Sequence, residues 1–105
     1  MDDEIVNEAL KGEVHLDWDE DTEEIPADQI TEVMLLGHML KEARALRIPE
    51  GSVRVFGTKV AEKVVRWAEK RGTVTEADLH RKMADEIAKY NADLAYSYQY
   101  HGKII

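Results

Sequence analysis

Apolar positions recur every three or four residues along three stretches of the chain, and this period predicts amphipathic helices. The predicted helices span residues 28–47, 52–71 and 75–96, with Asp28, Ser52 and Thr75 as their N-caps. Pro49 and Gly51 end the first helix, and Gly72 ends the second. We therefore expect an all-α fold, a small helical bundle of three main helices.

The chain before the first long helix is less regular and strongly acidic. Residues 3–11 favour a short helix that ends at Gly12, and residues 19–27 form an acidic linker. An isolated helix of this length is marginal in water, so it must dock on another surface. We divide the chain into an acidic N-terminal arm, residues 1–27, and a helical domain, residues 28–105.

The predicted helix 28–47 is apolar over more than a third of its circumference, which is typical of a central helix or of a subunit contact. Its candidate interaction residues are Val33, Leu36, Met39, Leu40 and Ala43. Gly37 lies in the same helix and costs about 1 kcal/mol relative to alanine, so we expect it to mark a close helix crossing. The pattern predicts an apolar surface that a second molecule covers.

Charge is divided unevenly along the chain. Lys and Arg number 14 and Asp and Glu number 22, so the net charge is −8. Residues 1–32 hold 13 acids and one base, a net charge of −12, whereas residues 33–105 carry +4. The protein is therefore an acidic arm joined to a mildly basic body, and the arm favours an encounter with a basic surface through long-range attraction.

The second predicted helix carries four cations at spacings of i, i+4, i+7 and i+11, which place them in one narrow arc. We call these residues the cationic stripe: Lys59, Lys63, Arg66 and Lys70. Such a stripe suits the phosphates of a nucleic acid, but ordinary surface charge and contact with the chain's own acidic arm remain open. A dedicated nucleic-acid module is usually basic overall, and this chain is acidic. Nucleic acid therefore ranks below a protein partner.

The sequence contains no motif that nominates a catalytic residue. It has no cysteine, which excludes a disulfide framework, a thiol nucleophile and a Cys-based zinc site. It also lacks the G-x-S-x-G element, the P-loop and the dinucleotide-binding glycine pattern. Scattered carboxylates leave catalysis open, but none of them forms a recognisable pair. We predict a non-catalytic protein without a cofactor.

The alternating carboxylates of residues 17–21 resemble the start of a calcium loop. The pattern then fails, because Thr22 stands where the sharp turn of that loop requires glycine. Asp28 also stands at the twelfth position, where a bidentate glutamate is usual. We predict no calcium site.

Two histidines lie four residues from a glutamate, in the pairs His38–Glu42 and Glu76–His80. A third and weaker hypothesis is a metal-dependent helical protein that uses both pairs. The di-iron pattern of helical bundles requires Glu-x-x-His at i,i+3, and neither pair has that spacing. We therefore predict no metal site.

The N-terminus, residues 1–4, has neither the basic nor the apolar region of a secretory signal. The longest apolar run, residues 33–40, is interrupted by Gly37 and His38 and is far shorter than the roughly 20 residues needed to cross a bilayer. We expect a soluble, cytoplasmic protein that has no membrane partner.

The central region contains, in order, a proline, an arginine soon after it, an amphipathic helix that ends near Ala-x-x-Gly, and Val-Thr at the start of the next helix. The matching segments are Ile48-Pro49-Glu50-Gly51, Val53-Arg54, Ala61-Glu62-Lys63, Ala68-Glu69, Gly72 and Val74-Thr75-Glu76. Residues 48–76 thus resemble the small C-terminal helical module of the light-independent protochlorophyllide reductase B subunit and its stand-alone relatives. The chain differs in Glu50-Gly51, where that module is apolar, and has no cysteine for a cluster. The resemblance implies a subunit-like helical addition and no catalytic residue.

Together these patterns predict a non-catalytic protein-interaction or accessory subunit that self-associates or binds a larger protein. The alternative is a nucleic-acid-associated regulator that uses the cationic stripe, with the acidic arm masking it.

Overall fold

The computed structural model describes residues 24–100 of the chain. In order along the chain, these residues form strand β1 (Glu24–Pro26), a 3₁₀ turn (Ala27–Gln29), helices α1 (Glu32–Ala45) and α2 (Glu50–Arg71), strand β2 (Thr73–Thr75), and helices α3 (Glu76–Ile87) and α4 (Ala92–Tyr100). Helices dominate this region, which confirms the predicted all-α class and small bundle.

Helix α1 begins at Glu32, four residues later than the predicted cap at Asp28. Thr31 is the N-cap, since its side chain accepts a hydrogen bond of 3.1 Å from the Met34 N–H. Asp28 lies in the 3₁₀ turn. Ile30 is buried and has an extended backbone, and Thr31 is also extended, so the helix begins only after these two residues.

Helix α2 begins at Glu50, directly after Pro49, rather than after the predicted cap Ser52. The Ser52 hydroxyl instead donates a hydrogen bond of 2.9 Å to the Pro49 carbonyl, within the first turn. The helix ends as predicted at Gly72, whose φ of +83° is the left-handed conformation that glycine adopts without strain.

The third predicted helix is two helices. Thr75 caps α3 as expected, and its hydroxyl oxygen accepts a hydrogen bond of 3.0 Å from the Asp78 N–H. The N–H groups of Tyr90 and Asn91 both bond to the Ile87 carbonyl, at 2.8 and 2.9 Å, and so close α3. The Asn91 side chain then accepts from the Leu94 N–H at 2.9 Å and starts α4. A continuous helix over 75–96 was therefore the wrong prediction.

Strands β1 and β2 form a short antiparallel ladder in which Ile25 lies opposite Val74. Both side chains are buried, and the Ala27 N–H donates a hydrogen bond of 2.9 Å to the Gly72 carbonyl. Residues 24–27 thus belong to the folded body. The boundary predicted after residue 27 assigns β1 to the arm and its partner β2 to the helical domain.

The core lies where α1, α2 and α3 meet, and α4 closes one side of it. Its largest fully buried side chains are Leu35, Met39, Val53, Val60, Val64, Val74, Leu79, Met83, Ile87 and Leu94. Helices α1 and α2 approach closely at Gly57, where a Cβ atom would lie 2.8 Å from Leu36 Cδ1. Gly37, the predicted crossing point, has no such neighbour within 4 Å. The crossing therefore lies at Gly57, on the other helix.

Candidate interaction surfaces

The five predicted interaction residues of α1 divide between the core and the surface. Met39 and Ala43 have an exposed fraction of 0 % within the chain itself, so no partner reaches them in this fold. Leu36 and Leu40 are half-buried against the core, whereas Val33 is 82 % exposed. We call Val33, Leu36 and Leu40 the α1 face.

Helical phase explains this division. At about 100° per residue, Val33, Leu36 and Leu40 fall within an arc of roughly 60°. Met39 and Ala43 lie to one side of that arc, where α1 packs on α2 and where Leu36 touches Gly57. The wide apolar arc of α1 therefore has two parts: Met39 and Ala43 are buried in the core, and the α1 face is partly exposed.

Other exposed apolar side chains were not among the predicted residues. Val55 of α2 is 67 % exposed and Tyr96 of α4 is 60 % exposed. The phase of Val55 was a usable signal, because this residue lies one turn before Lys59 on the face of the cationic stripe. Tyr90 is half-exposed and stacks on Phe56, with ring centroids 5.4 Å apart and an interplanar angle of 4°.

All four residues of the cationic stripe are exposed on α2, as the spacing predicts. Lys63 Nζ lies 3.9 Å from the Glu86 carboxylate of α3. Among residues 24–100, no ion pair within 4 Å involves Lys59, Arg66 or Lys70. Three of the four cations therefore present their charge to solvent.

Sequence reasoning missed Glu86, whose side chain is only 8 % exposed. Lys89 Nζ and Lys82 Nζ lie 3.0 and 3.2 Å from its oxygens, in addition to Lys63. Burial alone would raise the pKa of Glu86, but hydrogen bonds and charge from Lys89 and Lys82 hold it below the usual value. One carboxylate thus lies near three lysines, so the cluster keeps a net positive charge that spans α2 and α3.

An open cleft of about 290 Å³ lies between α2 and α3 beside this cluster. The half-buried Trp67 ring forms part of its wall, with Arg71 Cζ 5.3 Å and Lys82 Nζ 5.9 Å from the ring centroid. Asp78 and Arg81 also line the cleft, and the hydrogen bond from Arg81 lowers the pKa of Asp78. The cations of this cleft therefore already contact groups of the same chain: Arg71 and Lys82 lie near the Trp67 ring, and Arg71 and Arg81 pair with Asp78.

The two histidine pairs do not form one site. His38 Nδ1 shares a hydrogen bond of 2.6 Å with the Tyr98 hydroxyl of α4, and His80 Nε2 lies 3.3 Å from the Glu76 carboxylate. Burial raises the pKa of Tyr98, and the charge of Glu42 adds to this effect. Within residues 24–100, no group of three or more potential ligands could hold a metal ion. The metal hypothesis therefore has no support in this region.

Two features predicted from the sequence, the short helix of residues 3–11 and the carboxylates of residues 17–21, lie outside the described residues. No helix within residues 24–100 combines the length and the apolar character that a bilayer crossing requires. Comparison with protein-family models, with curated proteins and with solved structures finds no match for this chain.

Proposed function

We propose that this chain is a cytoplasmic, non-catalytic interaction or accessory subunit, and that it associates with a second copy of itself through the α1 face. The observation that carries the proposal is the 82 % exposure of Val33 on a helix whose neighbouring apolar residues are only half-buried. A subunit role also agrees with the resemblance of residues 48–76 to a small helical module.

The α1 face offers apolar area that a second molecule can remove from water. Complete burial of a valine or leucine side chain contributes about 1.5–3 kcal/mol relative to full exposure. Val33 retains most of that potential, and Leu36 and Leu40 retain part of it. Association through this face needs no rearrangement of the core, because Met39 and Ala43 stay buried behind it.

Sedimentation velocity over a concentration series tests this proposal with two matched variants. Val33→Lys places a charge on the α1 face, and we expect it to shift a dimeric protein to monomer. Val55→Lys makes the same change at a valine that is 67 % exposed on α2, and we expect it to leave association intact. A wild-type protein that stays monomeric at high concentration contradicts the proposal, and so does equal sensitivity of both variants.

A second candidate function is polyanion binding, with nucleic acid as the ligand, at the cationic stripe. The specific observation in its favour is that Lys59, Arg66 and Lys70 are exposed without an ion pair among residues 24–100. Four aligned cations can track phosphates, and each phosphate contact adds to the salt dependence of the affinity.

Titration of duplex DNA at several salt concentrations tests the second candidate. We expect the variant Lys59→Gln/Lys70→Gln to lower the slope of log K against log salt by about 2. The control variant Lys41→Gln/Arg47→Gln removes the same charge from exposed positions at α1 and its C-terminal end. Equal losses in the two variants, or no binding at low salt, reject this function.

A further inference from the structure

The turn between α3 and α4 presents an aromatic ring to solvent. Tyr90 is 46 % exposed, and its backbone N–H donates a hydrogen bond of 2.8 Å to the Ile87 carbonyl, which fixes the turn. One face of the Tyr90 ring stacks on Phe56 of α2, with the two planes 4° from parallel. Phe56 itself is buried. Because one face rests on a buried ring, the exposed part of Tyr90 is its other face and its edge.

This ring lies beside the cationic stripe. Lys63 lies two turns after Phe56 on nearly the same line of α2, because seven residues turn a helix by about 700°. Lys89 precedes Tyr90 in the chain. Its Nζ lies 3.0 Å from a carboxylate oxygen of Glu86, and Lys63 Nζ lies 3.9 Å from the same oxygen. The stack on Phe56 and the lysines around Glu86 therefore both connect Tyr90 to the stripe.

A ring at the side of a row of cations suits single-stranded nucleic acid. The phosphates of a strand follow the cations, and an unpaired base offers a flat face that stacks on an aromatic side chain. In a duplex each base is paired and stacked between its neighbours, so its face is not accessible to an external ring. From Phe56 to Lys70 the helix rises by about 21 Å, which gives room for several nucleotides.

The stripe also keeps charge available for phosphates. Among residues 24–100, no ion pair within 4 Å involves Lys59, Arg66 or Lys70. A strand that follows the stripe can therefore gain these three cations without breaking an ion pair of the described fold.

We propose that the cationic stripe binds single-stranded nucleic acid in preference to duplex, with one unpaired base stacked on the open face of Tyr90. The inference rests on the second candidate function and names its ligand class and a residue that recognises it. The cations supply an attraction that strand and duplex share, whereas Tyr90 distinguishes between them. Every base has a flat face, so the preference concerns strandedness and not sequence.

Fluorescence anisotropy at several salt concentrations tests the inference, with a labelled DNA strand of about 12 nucleotides and the duplex of the same sequence. We expect the wild-type protein to bind both and to bind the strand more tightly. Tyr90→Leu removes the ring and keeps an apolar side chain against Phe56. It should weaken strand binding about tenfold without changing duplex binding. The slope of log K against log salt should stay the same, because stacking releases no counterions.

Three further variants serve as controls. Tyr96→Leu removes a tyrosine of α4 that is 60 % exposed and should leave strand binding unchanged. Tyr90→Phe keeps the ring and should keep the affinity. Lys59→Gln/Lys70→Gln should instead lower the slope of log K against log salt for the strand by about 1.4. Circular dichroism confirms that each variant is folded.

Photo-cross-linking measures the contact in the unaltered protein. A strand that carries 5-iodouracil forms a covalent link on irradiation with an aromatic side chain that stacks on this base. We expect mass spectrometry to locate the link at Tyr90, and Tyr96 provides the internal comparison.

Three results overturn the inference: equal affinity for strand and duplex, wild-type strand binding by Tyr90→Leu, or links at Tyr96 as frequent as links at Tyr90. If the stripe variant still lowers the salt slope in these cases, polyanion binding is retained and only the base stack on Tyr90 is rejected. If neither strand nor duplex binds at low salt, the second candidate function and the inference fail together.

Discussion

Glu86 places one buried carboxylate at the junction of α2 and α3, where three lysines converge on it. The arrangement resembles neither a surface ion pair nor an isolated buried charge, since two lysines lie within hydrogen-bond distance and the third lies 3.9 Å away. Without the carboxylate, the three ammonium groups would repel one another across the same junction.

Glu86→Gln should lower the free energy of unfolding by about 1–3 kcal/mol, because hydrogen bonds to a charged group are lost and the lysines are left unbalanced. Urea denaturation at pH 7 measures the change. Asp85→Asn is the control, since Asp85 is the exposed neighbour on the same helix and should alter stability little. Equal effects of the two substitutions would contradict the role given to Glu86.

The same pair of proteins should differ in a pH-dependent way. The pKa of folded Glu86 is lowered from 4.5 by its lysines, so its stabilising contribution is complete above that pH and is lost as the pH falls through the lowered value. The stability difference between wild type and Glu86→Gln should therefore shrink below about pH 4.5. A difference that stays constant down to pH 2 would contradict the linkage.

Residue-scale features were predictable only where their causes are local. Thr75 caps α3 as the sequence indicates, because the cap and the Asp78 N–H lie within one turn. Thr31 replaces Asp28 as the cap of α1 because Ile30 is buried in the core, a contact that no local pattern contains. The contact between Lys63 and Glu86 joins two helices, so it was also not predictable from a local pattern.

At the scale of elements, the crossing of α1 and α2 depends on the missing side chain of Gly57. This glycine shares a helical phase with the buried Ala61, Val64 and Ala68, so the sequence did contain a signal for it. Gly37 instead shares its phase with the exposed Val33, and it lies in open space.

The two glycines should respond oppositely to added side chains. Gly37→Ala should raise the free energy of unfolding by up to about 1 kcal/mol, because alanine favours a helix and nothing obstructs the new methyl group. Gly57→Val should lower it by about 1–3 kcal/mol, since the added atoms collide with Leu36. Thermal and urea denaturation check both values. A stabilised Gly57→Val protein would contradict the crossing.

The division between α3 and α4 was the least predictable element. Residues 88–91 contain neither glycine nor proline, so composition offers no break. Asn91 is the one local signal, because its side chain caps α4, but asparagine also occurs inside helices. Packing of Leu94 and Tyr98 into the core favours the turn over a continuous rod.

At the scale of the whole molecule, the β1–β2 ladder joins residues 24–26 to the strand between α2 and α3. The boundary predicted after residue 27 follows the predicted helix start at Asp28, which lies within the acidic stretch of residues 1–32. The apolar Ile25 lies inside that acidic stretch and reaches the core only through a partner strand far along the chain. Charge patterning alone therefore does not reveal that Ile25 belongs to the core.

Two truncations should therefore behave differently. Removal of residues 1–23 leaves the ladder and Ile25 in place, and the free energy of unfolding of this chain is the reference value. Removal of residues 1–27 should lower it by about 2–4 kcal/mol, since a buried isoleucine and its backbone pairing are lost. Circular dichroism at 222 nm during urea denaturation measures both. Equal stability of the two truncated chains would contradict the role given to the ladder.

The ladder also has a consequence for biosynthesis. Ile25 is translated about 50 residues before its partner Val74, so the Ile25 side chain lacks its strand partner during much of elongation. Val74 must also leave the ribosomal exit tunnel before it can pair, so a nascent chain whose translation has only just passed Val74 still presents an unpaired Ile25 to holdase chaperones.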